Sequence, residues 1–354
     1  MSDDSDFAGR VEQRLTDFFA TERTHTATIG PAVADATDAL ADFVLGGGKR
    51  IRPLFADAGR TAAHGSPRTS PPADDTDAAL VDLGAALELV QACALVHDDI
   101  IDASDTRRGK PTVHVAYSGR HRDGDWHGDP GRFGESVAIL IGDLALAWAD
   151  DLAAPLPARI APVWRTMRTE VLAGQLLDIV NEAGRDESPA AAERVIAYKT
   201  AGYTIARPLE LGAVLGGADD ALIAALRTIG LGLGTAFQLR DDLLGVYGDP
   251  AVTGKPSGDD LITGKRTVLI AEGMSRAGAA DADALRVLLG GDLDEQGVSR
   301  ARAILTESGA QAAVEERIDR ELTTALAGIA ALPTSERARD RLAALADRIA
   351  HRAA

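Results

Sequence analysis

Four long stretches of this chain carry apolar residues three and four positions apart: Ala79 to Ala94, Val137 to Ala149, Leu226 to Leu244 and Ala338 to Ile349. That spacing lays one apolar stripe along each helix, and each stripe needs a partner surface to cover it. No long alternating run of Val, Ile, Thr and Tyr competes with the helical pattern. The breaks are polar or rich in Gly and Pro: Gly46–Gly48, His64–Pro72, Tyr117–Phe133, Ala183–Ser188 and Tyr247–Gly264. None reads as a linker, and no repeat of about 20 to 50 residues stands out. The expectation is an all-α chain, a single domain of roughly ten or more helices over residues 8–354. Residues 1–7 are expected to be a disordered start.

Composition narrows the function. The chain has 354 residues, 45% of them hydrophobic, enough for a sizeable core. No run of about 18 uninterrupted apolar residues argues for a membrane-spanning helix. The acidic start MSDDSDFAGR fits neither a secretory signal nor a transit peptide, so a cytoplasmic location is expected. A single cysteine, Cys93, excludes an intrachain disulfide and a multi-cysteine zinc site. With 54 acidic residues against 37 basic ones and a net charge of −17, nucleic acid is not an expected partner. Only five of the basic residues are lysines: Lys49, Lys110, Lys199, Lys255 and Lys265.

Chemistry is concentrated in two acidic clusters. His97-Asp98-Asp99-Ile100-Ile101-Asp102 ends an apolar helical stretch, with Asp98 and Asp102 four apart on one face. Like charges at that spacing repel, and carboxylate oxygens are hard donors suited to Mg²⁺. Asp241 and Asp242 end a second apolar helix after Phe237-Gln238-Leu239-Arg240. Carboxylates carried on two helices can hold several divalent ions, and such ions can clamp a diphosphate. Cations fall beside both clusters. The turn Gly46-Gly47-Gly48 leads into Lys49, Arg50 and Arg52, while Arg107 and Arg108 follow the first cluster. Lys255 and Lys265 follow the second, and Lys199-Thr200 lie between the two. Four of the five lysines thus sit at candidate phosphate or metal positions, where a compact ammonium differs from a guanidinium. Lys110 is the one left without a role.

In order along the chain stand GGGKRIRP, ELVQACALVHDDIID, DTRRGKPTVH, YKTAGYT, FQLRDDLLGVYGD and GKPSGDDLITGKRT. From about Leu45 to Thr267 the sequence resembles the trans-isoprenyl diphosphate synthases of the polyprenyl synthetase family, of the farnesyl and geranylgeranyl type. The resemblance implies antiparallel helices around a deep cavity and a homodimer. It also implies Mg²⁺-dependent, head-to-tail condensation of isopentenyl diphosphate with an allylic diphosphate, with two or three ions per site. On this resemblance Asp98 and Asp102 bind Mg²⁺ with Asp99 in support, and Asp241 holds a further ion with Asp242 nearby. Lys49, Arg52, Arg108 and Gln91 would bind isopentenyl diphosphate. Arg107, Lys199 and Lys265 would contact the allylic diphosphate, with Lys255 close by. Thr200 and Gln238 would face the carbocation, and Thr200 would assist proton removal. His97 and His114 read as structural.

One position departs from the family pattern: its second aspartate motif usually ends in Asp, and here that place is Gly245. Product length is expected to depend on the residues one turn before Asp98. In the family bulky side chains there floor the cavity, whereas Cys93 and Ala94 are small. The expected product is geranylgeranyl diphosphate, with farnesyl and geranylfarnesyl diphosphate as alternatives. A class I terpene cyclase shares the fold class and first cluster, but Asp241, Gly245 and Asp249 match its second metal motif poorly. A non-catalytic partner subunit would be expected to lose the aspartates and cations that this chain keeps.

Overall fold

The computed structural model describes residues 2–67, 76–249, 258–291 and 293–350, and over these the all-α expectation is borne out. The described strands are one antiparallel pair of two residues each, β1 (Thr106–Arg107) and β2 (Lys110–Pro111). The chain divides into two compact units, Met1–Asp57 with Ser70–Ala161 and Ala58–Thr69 with Pro162–Ala354.

The first unit is built on α4 (Thr76–Ile101), which packs against α1 (Ser2–Ile29), α2 (Pro31–Leu45) and α6 (Pro130–Ala153). Leu80, Leu83, Leu87 and Leu89 of α4 are all buried. A helix apolar around most of its circumference belongs inside the fold. Gly84 lets α1 close in, since a Cβ there would stand 2.8 Å from Val11 Cγ2. The disordered start expected over residues 1–7 is instead helical from Ser2. The reason is packing: Phe7 is buried with Val11 and Leu15 on one stripe of α1.

The expected break at Tyr117–Phe133 is shorter than its composition suggested. Helix α5 (Val113–Asp123) runs through Tyr117 because Tyr117, Ser118 and His121 are buried and the helix packs on α6. Gly134 permits that approach, as a Cβ there would lie 2.1 Å from the His114 carbonyl oxygen. Only residues 124–129 are loop, and Trp126 stacks edge-on against Phe133 with centroids 5.3 Å apart. Asp129 then caps α6 by accepting the Arg132 N–H at 2.8 Å.

In chain order the second unit holds α7 (Ala161–Gly184), α8 (Pro189–Val195), a π-helical segment (Ile196–Ala206), α9 (Arg207–Leu215) and α10 (Asp220–Tyr247). Then come α11 (Asp259–Ile262), α12 (Val268–Arg276), α13 (Ala279–Leu288), α14 (Glu295–Glu307), α15 (Ala310–Ala331) and α16 (Glu336–Ala350). Helix α3 (Ile51–His64) crosses from one unit to the other, and its second half ties α16's approach through Thr334 Oγ1, which donates to Ala62 O at 2.6 Å. Helix α10 packs on the π segment and on α15. Its Gly234 sits so close that a Cβ would lie 2.5 Å from Ala201 Cα. Backbone cannot yield as a side chain can. Gly234→Ala is therefore expected to destabilise the protein by about 1–3 kcal/mol, read as a lowered denaturant midpoint. An unchanged midpoint would contradict this packing.

Helices α4 and α10 are long and apolar enough to cross a membrane by length and composition alone. Within the fold 72% of the apolar window of α4 is buried, and 44% of that of α10.

Candidate active site

The sequence-predicted residues divide between the two units. In the first, α2 ends at Leu45 and the chain turns through Gly46–Gly48 into α3. Gly47 and Gly48 have φ of 106° and 154°, and Arg50 follows at 47°. A positive φ at a non-glycine residue is costly and needs outside support. Arg50 finds it inward: buried, it donates from Nη1 to Glu88 Oε2 at 2.7 Å and from Nη2 to Val44 O at 2.9 Å. Arg52, also buried, donates from Nη1 to Gln91 Oε1 at 2.6 Å. Glu88 and Gln91 are three apart on α4, so two successive arginines dock on one helix face. Lys49 stands exposed at the turn.

Arg108 completes this group from a different element. The strands β1 and β2 are joined by Arg108-Gly109, both with positive φ (54° and 72°), the twist-matched form of a two-residue hairpin. From that tip Arg108 Nη1 donates to the Gly47 carbonyl. Arg50, Glu88, Gln91, Leu95 and Arg108 line a shallow depression. Burial, together with Arg107 and Arg50, pushes the Arg108 pKa down. Guanidinium does not deprotonate in practice, so Arg108 stays charged beside Arg50 and Arg107. The structure thus brings Arg52, Gln91 and Arg108 to one glycine turn.

The first acidic cluster ends α4. Asp98 and Asp102 lie one turn apart, with the Asp102 N–H donating to Asp98 O at 2.8 Å. Asp99 faces inward, 1% exposed, and takes Arg107 through Nη2 at 2.7 Å and Nε at 2.9 Å. Burial pushes the Asp99 carboxyl above its ordinary pKa, against the pull of Arg107. Asp99 is therefore engaged as an anchor for Arg107, whose Nη2 reaches to 3.8 Å from Asp98 Oδ2. His97 Nε2 lies 3.0 Å from Ile139 O, and His114 Nδ1 lies 3.2 Å from Thr112 Oγ1. Both contacts suit structural roles. Cys93 is buried with Sγ 3.7 Å from His97 Nδ1, and burial raises its thiol to about 12. Ala94, by contrast, is half-buried, and it shares the face of Asp98 one turn later.

In the second unit Lys199 and Thr200 lie on the π-helical segment. Lys199 Nζ donates to Asp178 Oδ2 of α7 at 2.7 Å. Asp241 is exposed near the end of α10, while Asp242 is buried. Gln238 Nε2 donates to Asp242 Oδ1 at 2.8 Å, so its amide serves that carboxylate. Oδ2 of Asp242 is buried without a hydrogen-bond partner. Burial pushes the Asp242 carboxyl up to about 8, with Asp260 and Asp241 adding to the shift.

Gly245 is explained by the same neighbourhood. A Cβ at residue 245 would stand 2.0 Å from Asp260 Oδ2. The carboxylate of Asp260, buried on α11, occupies the space a side chain there would need. Asp249 lies beyond the end of α10. Lys265 is half-buried and its N–H donates to Asp260 O at 2.9 Å. Lys255 lies outside the described residues. Lys110 is exposed on β2.

Sequence reasoning missed Glu88, Asp178 and Asp260. Asp178 precedes its partner by 21 residues on another helix, a separation no motif spacing encodes. The only available signal for Asp260 was its place in GDDL between two lysines.

The acidic donors suit Mg²⁺ rather than a metal held in an all-protein cage. Among the described residues no three His, Cys, Asp or Glu side chains converge as a metal site. Mg²⁺ binds through one or two carboxylates, keeps several waters and shares its shell with substrate phosphates. Asp98 with Asp102, and the exposed Asp241 near the end of α10, fit that pattern.

An all-α fold carrying aspartate pairs near the ends of α4 and α10, the first beside Arg107, suits an enzyme that acts on diphosphates, and comparison with known proteins identifies it as a prenyltransferase. Residues 34–306 match the model of the polyprenyl synthetase family, and the chain belongs to that family. A geranylgeranyl pyrophosphate synthase from Corynebacterium glutamicum, crystallised with isoprenyl diphosphate and magnesium, has a similar structure. The TM-score is 0.91 and the identity 47%, with 98% of each chain covered. The geranylgeranyl diphosphate synthase of Mycobacterium tuberculosis is 36% identical over 271 residues, 74% of this chain and 71% of the relative. The geranylfarnesyl diphosphate synthase of Aeropyrum pernix is 32% identical over 284 residues, covering 78% and 80%.

Proposed function

We propose that this prenyltransferase condenses isopentenyl diphosphate head to tail with an allylic diphosphate to give geranylgeranyl diphosphate, as a cytoplasmic homodimer using two or three Mg²⁺ per site. The observation that carries the reading is the pair of separate cationic positions in the first unit. Arg52 and Arg108 gather at the glycine turn beside Gln91, while Arg107 is held next to Asp98 by Asp99. A condensing enzyme needs two diphosphate positions, and a cyclase needs one.

The residues then divide the work. Lys49, Arg52, Gln91 and Arg108 hold isopentenyl diphosphate. Arg107, Lys199 and Lys265 hold the allylic diphosphate, whose C–O bond breaks as charge moves onto the leaving group. Asp98, Asp102 and Asp241 would hold Mg²⁺, which when bound neutralises that charge. Preorganised cations add to the effect without reorganising during the step. The isopentenyl double bond then attacks the allylic carbocation, and the proton lost from the new cation goes to the departed diphosphate. Thr200 offers a neutral dipole near the reacting carbons. A geranylgeranyl product is supported by the small Ala94 on the face of Asp98, one turn before it.

Purified protein with Mg²⁺, isopentenyl diphosphate and each allylic primer in turn is expected to release pyrophosphate only when both substrates are present. Release from an allylic diphosphate alone would favour a cyclase. Asp241→Ala is expected to lower turnover about 10²-fold or more, as loss of a charge-stabilising group does. Near-normal turnover would remove Asp241 from the metal site.

A further inference from the structure

The segment Ile196–Ala206 is π-helical over 11 residues. π-Helical turns are mostly single-turn bulges found at functional sites, so a run of this length needs holding from outside. The wide hydrogen-bonding is visible at its end, where the Arg207 N–H donates to Gly202 O, five residues back. It carries Lys199 and Thr200, two of the residues of this unit assigned to the allylic group.

One face of α7 supplies the support. Glu170, Gly174 and Asp178 recur every four residues and so share that face. Each touches a different part of the π segment or the residue that follows it. Glu170 takes Arg207 in a two-pronged bond, Nε to Oε2 at 2.7 Å and Nη2 to Oε1 at 2.5 Å. Arg207 Nη1 also donates to Glu210 Oε2 at 2.5 Å. A planar fork held by two carboxylates has little freedom to turn. Gly174 lets the backbone of Lys199 rest directly on α7, because a Cβ at 174 would meet Lys199 N at 2.3 Å and Cα at 2.7 Å. Asp178 holds the Lys199 ammonium at 2.7 Å. Helix α10 also presses on the segment through Gly230 and Gly234, whose added Cβ atoms would lie 2.6 Å and 2.5 Å from Ala206 Cα and Ala201 Cα.

We infer that Glu170, Gly174 and Arg207 are positioning residues for the prenyl-transfer step: they hold the wide π-helical turn that aims Lys199 and Thr200. The inference deepens the synthase reading proposed above and rests on it. None of the three needs to touch substrate. Glu170→Gln keeps the shape and removes the charge of the fork, Gly174→Ala displaces the Lys199 backbone, and Arg207→Lys keeps the charge and loses the second prong.

The test compares the full-length wild type with these three variants under Mg²⁺, isopentenyl diphosphate and farnesyl diphosphate, together with amide hydrogen exchange over residues 196–206. Each variant is expected to lower kcat by about tenfold or more, the effect of a displacement of about an ångström. The KM for isopentenyl diphosphate is expected to stay within about twofold, because none of the three replaced residues is assigned to that substrate. Exchange across residues 196–206 should rise while exchange in α4 does not. Exchange that stays at the wild-type level in Glu170→Gln and Gly174→Ala would overturn the inference, as would kcat within about twofold of wild type. A wild type that fails to condense the two substrates counts against the synthase reading alone, and the exchange measurement then decides the positioning role.

Discussion

Replacing Asp98 with Ala is expected to lower turnover by about 10²–10³-fold while leaving the fold intact, the range seen when one preorganised charge-stabilising group is lost. The separation of the two effects comes from how the cluster is built. Arg107 makes its short bonds to Asp99, at 2.7 and 2.9 Å, and stands 3.8 Å from Asp98. Losing the Asp98 carboxylate therefore leaves the buried pair in place, and the denaturant midpoint should barely move. What disappears is one of two hard oxygen donors spaced a turn apart on α4. Mg²⁺ supported by so few protein ligands tolerates the loss of one poorly. Turnover within tenfold of wild type at saturating Mg²⁺, with an unchanged midpoint, would remove Asp98 from the metal site.

Replacing Ala94 with Phe is expected to shorten the product, with farnesyl diphosphate displacing the longer species in the product profile. Cys93 and Ala94 are neighbours in sequence but face different surroundings. Cys93 is buried against His97, and a Phe there would overpack a closed site at about 1–3 kcal/mol. Ala94 is half-buried on the face of Asp98, so an aromatic ring there stands just below the aspartates. Chromatography of the dephosphorylated products reads the outcome directly. An unchanged product distribution in a folded, active Ala94→Phe variant would place the chain-length stop elsewhere.

Much of the site was legible because helical periodicity and motif spacing are local. Asp98 and Asp102 share a face whatever packs around them, and a glycine turn followed by Lys49, Arg50 and Arg52 is readable as an anion position. The roles of Arg50, Asp99 and Gln238 were not legible in the same way. Each was one polar residue among several in a motif, and only burial separates those that point inward. Arg50 pairs with Glu88, Asp99 with Arg107 and Gln238 with Asp242. The disordered start and the long break at Tyr117–Phe133 were misjudged for a related reason. Acidic and glycine-rich stretches carry weak helix signals, but Phe7, Tyr117 and His121 found buried partners. Tertiary packing outweighs local propensity at such places.

The sequence by itself determined the all-α class, the family and the candidate residues for diphosphate and metal. These follow from short-range periodicity and ordered motifs. Only the tertiary structure decided that Gly245 is a space filled by Asp260, that Lys199 is held by Asp178, and that the Lys199-Thr200 segment is a wide helix braced by α7 and α10. Those facts depend on contacts between residues 15 to 37 positions apart, such as Gly245 with Asp260, Gly174 with Lys199 and Glu170 with Arg207. Their strength comes from desolvation and close backbone approach, quantities that exist only once the helices are packed.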